Sequence, residues 1–329
     1  MDRIVDADPV SRRKPAQLHG VLVIDKPTGT TSAAVVGLVR DRLGTEAAGH
    51  TGTLDPLATG VLPVCLGAAT KLAQWLHTDD KAYDAVVELG VETDTFDRDG
   101  QVVGGDPAAA RAVERANVLA ALAALTGEHD QVPPIYSAIQ LGGRRMHELA
   151  RAGETADLVA RPVRIDRLEL TAFAPPRLGL TVHCSKGTYV RSLVRDLGQR
   201  LGCGASITEL RRTASGRFTL ADAVPLAFLD RPNAEQRLIS PAVALGLPAV
   251  SVALVDERDV LDGRRLDPAR FAPPGLAVGE RFQLVTEAGC ILALAQLHAD
   301  RVELVRVLTY GAAAPPVAGK LRPRPPSAG

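Results

Sequence analysis

The chain has 329 residues, 46% of them apolar and only 3% aromatic, and its 38 basic residues are balanced by 38 acidic ones. That apolar share in a chain of this length can bury one large domain beside a smaller one. No apolar run reaches the length of a membrane span, and the N-terminus, with Asp2, Asp6 and Asp8 beside Arg12, Arg13 and Lys14, has no signal-peptide core. Cys65, Cys184, Cys203 and Cys290 stand singly, with no CxxC or cysteine-histidine spacing, so a disulfide framework and a zinc site are excluded and a soluble, metal-free protein of the reducing cytoplasm is expected.

Residues 1–19 are polar and aperiodic and 312–329 are rich in Pro and Ala, so both ends read as disordered tails. Residues 21–24 form a short buried strand. Thr31 or Ser32 caps a helix whose Val35, Val36, Val39 and Leu43 recur at helical spacing. Residues 83–89 are extended. Asp106 before Pro107 opens an alanine-rich helix that runs towards Leu125. Val163 and Ile165, then Leu168 and Leu170, alternate in two phases, and Leu180, Val182 and Cys184 alternate in the next strand. Val190, Leu193, Val194, Leu197 and Leu201 line one stripe of a helix over 189–201. This order indicates an α/β (α+β) core over 20–235. After the proline-bearing stretch 230–248, the β-rich segments 281–286, 290–296 and 302–308 read as a small barrel within 248–311.

Formal neutrality hides a segregation of charge. Residues 140–217 hold 14 Lys or Arg against 7 Asp or Glu, and residues 84–130 hold 3 against 10. A basic stretch folded onto one face can hold a phosphate backbone even in a neutral protein. Two solvated faces of different charge are the competing reading.

The most informative segment is GHTGTLDPLATG, residues 49–60. Three glycines and a proline around Asp55 describe a shaped loop, because glycine frees the backbone and proline fixes it. By spacing alone, Asp55 before Pro56 is a turn or cap residue. The longer string GHTGTLDPLATGVLP, however, resembles the signature of the TruB-type bacterial tRNA pseudouridine synthases, in which the aspartate is the catalytic nucleophile. Tyr83, in Asp80-Lys81-Ala82-Tyr83, matches that family's base-stacking tyrosine. CSKGTYVR, residues 184–191, resembles its CSKGTYIR motif, which implies that Arg191 pairs with Asp55. The GxxxxGK[ST] phosphate loop is absent, so Lys186-Gly187-Thr188 is not a nucleotide-hydrolysis motif. Leu210-Arg211-Arg212 matches the family's LRR, with the leucine at the site wall and the arginines near RNA. His50 resembles the histidine that helps to flip the base.

The remaining RNA contacts that the resemblance implies are Lys26 in the opening basic turn, Lys186, Arg195 one turn beyond Arg191, and Arg151 in a central segment that grips the T-arm (about 131–160). There the sequence departs from the family, with Gln140 where a lysine is usual and His147 where a tyrosine is. The resemblance also implies a mixed, mostly antiparallel pseudouridine synthase sheet, a PUA-like barrel at the C-terminus, and a monomer acting on uridine 55 of the tRNA T-loop with no cofactor. Such a reaction breaks the N1-glycosidic bond and rejoins the uracil through C5. A carboxylate, whose unperturbed pKa is about 3.9, suits the role implied for Asp55, attack on the sugar carbon or the uracil ring or a later proton abstraction. The same fold acting on another RNA, a tRNA-folding chaperone and a small-nucleoside hydrolase are the other readings.

Overall fold

The computed structural model describes residues 17–76, 80–134, 140–141, 144–145 and 159–310. Its main sheet is built from β1 (Gly20–Lys26), β2 (Ala48–His50), β3 (Thr59–Leu66), β4 (Lys81–Leu89), β7 (Gly127–Gln131), β10 (Arg161–Ala174), β11 (Arg177–Cys184), β12 (Ala205–Ser215), β13 (Phe218–Thr219) and β14 (Val224–Pro225). Small hairpins are formed by β5 (Glu92–Thr93) with β6 (Val102–Gly104), and by β8 (Gln140–Leu141) with β9 (Arg144–Arg145). The sheet order is β14-β1-β3-β12-β4-β11-β10-β7, with β2 beside β3 and β13 beside β12. Only the β1/β14 and β3/β12 pairs of this sheet are parallel, so it is mixed and mostly antiparallel, as expected.

The strand sequences explain which faces are covered. β1 is apolar at almost every position because both of its faces are buried. Leu22 and Ile24 join Leu62, Val64 and Leu66 in one core, while Val21 and Val23 join Val61 and Cys65 in another. The first core is covered by helices α1 (Ser32–Leu43), α3 (Arg115–Leu125) and α4 (Val190–Leu201). The helix expected to run unbroken from Asp106 is two. Asp106 caps α2 (Pro107–Arg111), the chain turns so that Val113 and Val118 both face the core, and α3 follows. The two apolar phases in 163–170 belong to one strand, β10. A bulge between Ile165 and Arg167 shifts the alternation by one residue.

The second core receives Val285 and Ile291 from a separate four-stranded sheet, β15 (Ala249–Val252), β16 (Arg281–Thr286), β17 (Ile291–Leu297) and β18 (Val302–Val307), and Leu308 from just beyond β18. Among the described residues its order is β15-β16-β17-β18, with an isolated antiparallel bridge from Leu266 to Val302. The first nineteen residues are not all tail. Leu18 is in the first core, and the His19 Nδ1 accepts a hydrogen bond from the Ala68 N–H at 2.9 Å. Residues 1–16 and 311–329 lie outside the described residues, as does most of 131–160. Among the described residues no helix is long and apolar enough to cross a membrane.

Candidate active site

Residues 51–58 connect β2 to β3 at the centre of the sheet, and almost every carbonyl along them is held. Arg212, on β12, is 1% exposed and donates to Val61 O at 2.7 Å, Gly52 O at 3.1 Å and Thr53 O at 3.4 Å. Lys26, at the end of β1, is fully buried and donates to Ala58 O at 2.6 Å, Pro27 O at 2.9 Å and Pro56 O at 3.3 Å. The hydroxyl of Ser32 donates to Leu54 O at 3.0 Å and accepts from Leu54 N at 2.8 Å. Thr28 Oγ1 donates to Leu57 O at 3.0 Å, and Gly29 N to Pro56 O at 2.8 Å. Buried backbone acceptors left unpaired are costly, and here β1, α1 and β12 together satisfy those of the loop.

The loop presents one carboxylate. Asp55 accepts a two-point hydrogen bond from Arg191, Nε to Oδ2 at 2.8 Å and Nη2 to Oδ1 at 3.0 Å, the fork geometry that fixes a carboxylate plane. Arg191 is 4% exposed in the first turn of α4, whereas the Asp55 side chain keeps a third of its surface open. The third guanidinium nitrogen, Nη1, donates to Thr95 O at 2.9 Å and lies 3.7 Å from Asp97 Oδ2. Burial pushes the Asp97 carboxyl up, while the Thr95 hydroxyl (2.7 Å) and the Arg191 charge pull it back down. Arg191 therefore sits between an open carboxylate and a closed one. The start of α4 is itself anchored: Gln131 bonds the backbone of Tyr189 through both of its amide atoms (2.9 and 3.2 Å), and Ser192 Oγ donates to Val132 O at 2.9 Å.

Residues 40–190 match the TruB family pseudouridylate synthase N-terminal domain, and residues 191–241 match the tRNA pseudouridylate synthase B C-terminal domain. The chain belongs to the TruB family. It is 48% identical over 264 residues to a tRNA pseudouridine synthase B of Aromatoleum aromaticum, covering 79% of this chain and 83% of that one. A tRNA pseudouridine synthase B of Ralstonia nicotianae is 44% identical over 283 residues, 84% of this chain and 89% of that one. Among solved structures, a chain of an H/ACA RNP bound to a substrate RNA containing 2′-deoxyuridine superposes with a TM-score of 0.68 at 25% identity, covering 91% of this chain and 88% of that one. A Cbf5–Nop10–Gar1 complex gives 0.67 at 26%, over 88% of this chain and 84% of that one. The second sheet, from Ala249 onward, lies beyond both family matches.

In this TruB-family chain the other residues singled out from sequence take up varied positions. Tyr83 and Leu210, each under a tenth exposed, are packed in the same core as Leu54 and Leu57. Tyr83 lies opposite Arg212 across the β4/β12 pair; burial pushes its phenol up and the Arg212 guanidinium opposes that shift. His50 is half-buried at the end of β2, opposite Val64. Lys186 is exposed in the turn between β11 and α4. Lys26 and Arg212, expected to touch RNA, do not face solvent at all, because their donors are spent on carbonyls of or beside the Asp55 loop. Arg211 is half committed: it grips Asp25 at 2.8 and 3.1 Å and Thr59 Oγ1 at 3.3 Å, with 41% of its side chain open. Arg195 bonds Asp196 and reaches Val132 O rather than standing free. Arg151 and His147 lie outside the described residues, and only the backbone of Gln140 is described.

Asp97, Thr95, Ser32 and Gln131 were not legible as site residues. The signal that could have found Asp97 is the segment DTFDRDG, residues 94–100, where a carboxylate-rich turn closes on a glycine. A Cβ at Gly100 would lie 2.2 Å from Thr95 Oγ1.

Proposed function

We propose that this chain isomerises uridine 55 in the T-loop of tRNA to pseudouridine, without a cofactor and with Asp55 as its nucleophile. The observation that carries the reading is the state of Asp55: a carboxylate one third exposed and fixed in plane by the buried Arg191. It stands on a loop whose backbone is already satisfied. A group so held is oriented before any substrate arrives, which is where positioning contributes most to rate.

The chemistry needs no added atom. The N1–C1′ bond breaks, the uracil turns, the C5–C1′ bond forms, C5 loses its proton to solvent and N1, which carried none, gains one, so reactant and product are isomers. Asp55 either attacks the ring or sugar or removes the C5 proton late, and Arg191 holds its carboxylate in one plane. The target uridine leaves its stack to reach this depth, and Tyr83 and Leu210 are assigned to the wall against which the uracil rests. Each stacked base gains about 1 to 3 kcal/mol. His50, Lys186, Arg211 and Arg151 are assigned to the RNA, recognised by the shape of the folded T-stem and loop, whereas Arg195, expected from sequence to touch phosphate, is taken up by Asp196 and Val132 O. Residues 20–235 form the catalytic unit, 131–160 the T-arm grip, and 248–311 a PUA-like RNA-binding unit. The names of the bacterial relatives and the substrate RNA in the similar H/ACA structure support an RNA substrate.

The test is tritium release from tRNA labelled at uracil C5, for the wild-type chain, for Asp55→Asn, and with a tRNA carrying cytidine in place of the T-loop uridine. Release with the wild type on the uridine tRNA alone is the expected result. Asp55→Asn keeps tRNA binding and loses turnover; turnover at the wild-type rate in that variant sinks the assignment.

A further inference from the structure

Folding alone gives Phe96 little reason to be where it is. The ring is half-buried, yet it belongs to none of the three apolar clusters. Its backbone sits at φ 62°, the left-handed region that disfavours a bulky side chain. The surrounding turn enforces that conformation: Phe96 N donates to Thr93 O at 3.1 Å, Ile207 N to Phe96 O at 3.1 Å, and Thr93 Oγ1 to Asp97 O at 2.7 Å. Strain held in place this way gathers where it serves a site.

The ring lies 5.0 Å from the guanidinium carbon of Arg195, within cation–π range. Arg195 follows Arg191 by one helical turn, on the same face of α4. Three consecutive residues of one turn thus hold two arginines of one helix: Thr95 O and Asp97 meet Arg191, and Phe96 between them meets Arg195. Asp196 (2.6 and 2.8 Å) and Val132 O (3.4 Å) fix the same guanidinium. We propose that the Phe96–Arg195 stack is a positioning device, holding the 93–97 turn against α4 so that Arg191 grips Asp55 in one pose. This rests on the reading of Asp55 as the reactive carboxylate.

The experiment uses the full chain in excess over C5-tritiated tRNA, measuring the single-turnover rate, the tRNA dissociation constant by filter retention, and the melting temperature. Phe96→Gly and Arg195→Ala should each slow the rate about tenfold or more, with tRNA affinity within about twofold of wild type. The double variant should be no slower than the slower single, because the pair acts as a unit. Phe96→Tyr, which keeps the ring, should restore the rate. Phe96→Gly relieves the left-handed backbone, so its melting temperature should hold while its rate falls, a combination that unfolding does not give. Wild-type rates in both single variants overturn the proposal. So does several-fold weaker tRNA binding at an unchanged rate, which would make the stack an RNA contact. A wild-type chain that releases no tritium removes the reading of Asp55 and the proposal with it, whereas an active wild type with unaffected variants removes the proposal alone.

Discussion

Lys26 carries its ammonium where no solvent reaches it, and its three N–H donors meet three carbonyls, two of them on the Asp55 loop. Burial lowers its pKa to about 8, although the charge of Asp55 pulls the other way. A neutral amine has two donors for those three acceptors, so one carbonyl loses its partner as pH rises through about 8 and the loop loosens. Turnover is expected to fall along that limb. Stability moves oppositely: the folded chain gives up the proton near 8 while the unfolded chain keeps it to about 10.5, so unfolding binds a proton and stability rises with pH between those values. Single-turnover rates and urea melts from pH 7 to 10 check both. In Lys26→Met the alkaline limb near pH 8 should be gone; a limb that persists there belongs to another group. From the sequence, the family resemblance implied that Lys26, in the opening basic turn, and Arg212, in Leu210-Arg211-Arg212, lie near RNA. What it did not show is burial, which turns the same cations into donors for backbone.

At the scale of elements, the site depends on the short parallel contact between β3 and β12, where Arg211 lies opposite Thr59 and Arg212 opposite Gly60. Gly60 adopts φ 99°, and a Cβ there would lie 2.2 Å from Arg212 O, a backbone atom that cannot swing aside. Gly60→Ala should therefore destabilise the fold by about 2 kcal/mol or more, from strain and overpacking together. It should slow turnover further by moving Arg212 off Gly52 O and Val61 O. A urea melt of Gly60→Ala within about 0.5 kcal/mol of wild type, the range of a neutral surface change, would show that β12 yields without disturbing the loop. Local pattern made much of this level readable. Thr31 does cap α1, with Thr31 Oγ1 accepting from Ala34 N at 3.1 Å, and the stripe of 190–201 is the buried face of α4. Pattern failed where packing interrupts it, at the turn that splits α2 from α3 and at the bulges of β10. The turn of 93–97 holds Asp97 and Phe96 in the site through contacts distant in sequence, and no local period marks it.

For the whole molecule, net charge of zero is the wrong quantity for judging an RNA partner, and so is the raw excess in residues 140–217. Of the 14 basic residues there, Arg191 and Arg212 are buried, and Arg164 and Arg167 pair at 2.6 Å with Asp166 and Glu169. Arg195 is bound to its neighbour Asp196. Exposed pairs are weak and exchange readily for phosphate, whereas the buried cations do not exchange at all. Affinity for tRNA should therefore fall with salt, with a slope of about 0.7 to 0.9 per phosphate contact on a double-logarithmic plot, and the slope should count only the reachable cations. Lys186 is exposed in the turn between β11 and α4, five residues before Arg191. Lys186→Ala is expected to reduce the slope by about one contact, while Lys26→Met leaves it unchanged even though the charge it removes interacts with Asp55. Filter binding across a salt series separates these cases. An equal loss of slope in both variants would mean that the Asp55 loop opens to expose Lys26 when RNA arrives, and the closed loop would then be only the resting state of the site.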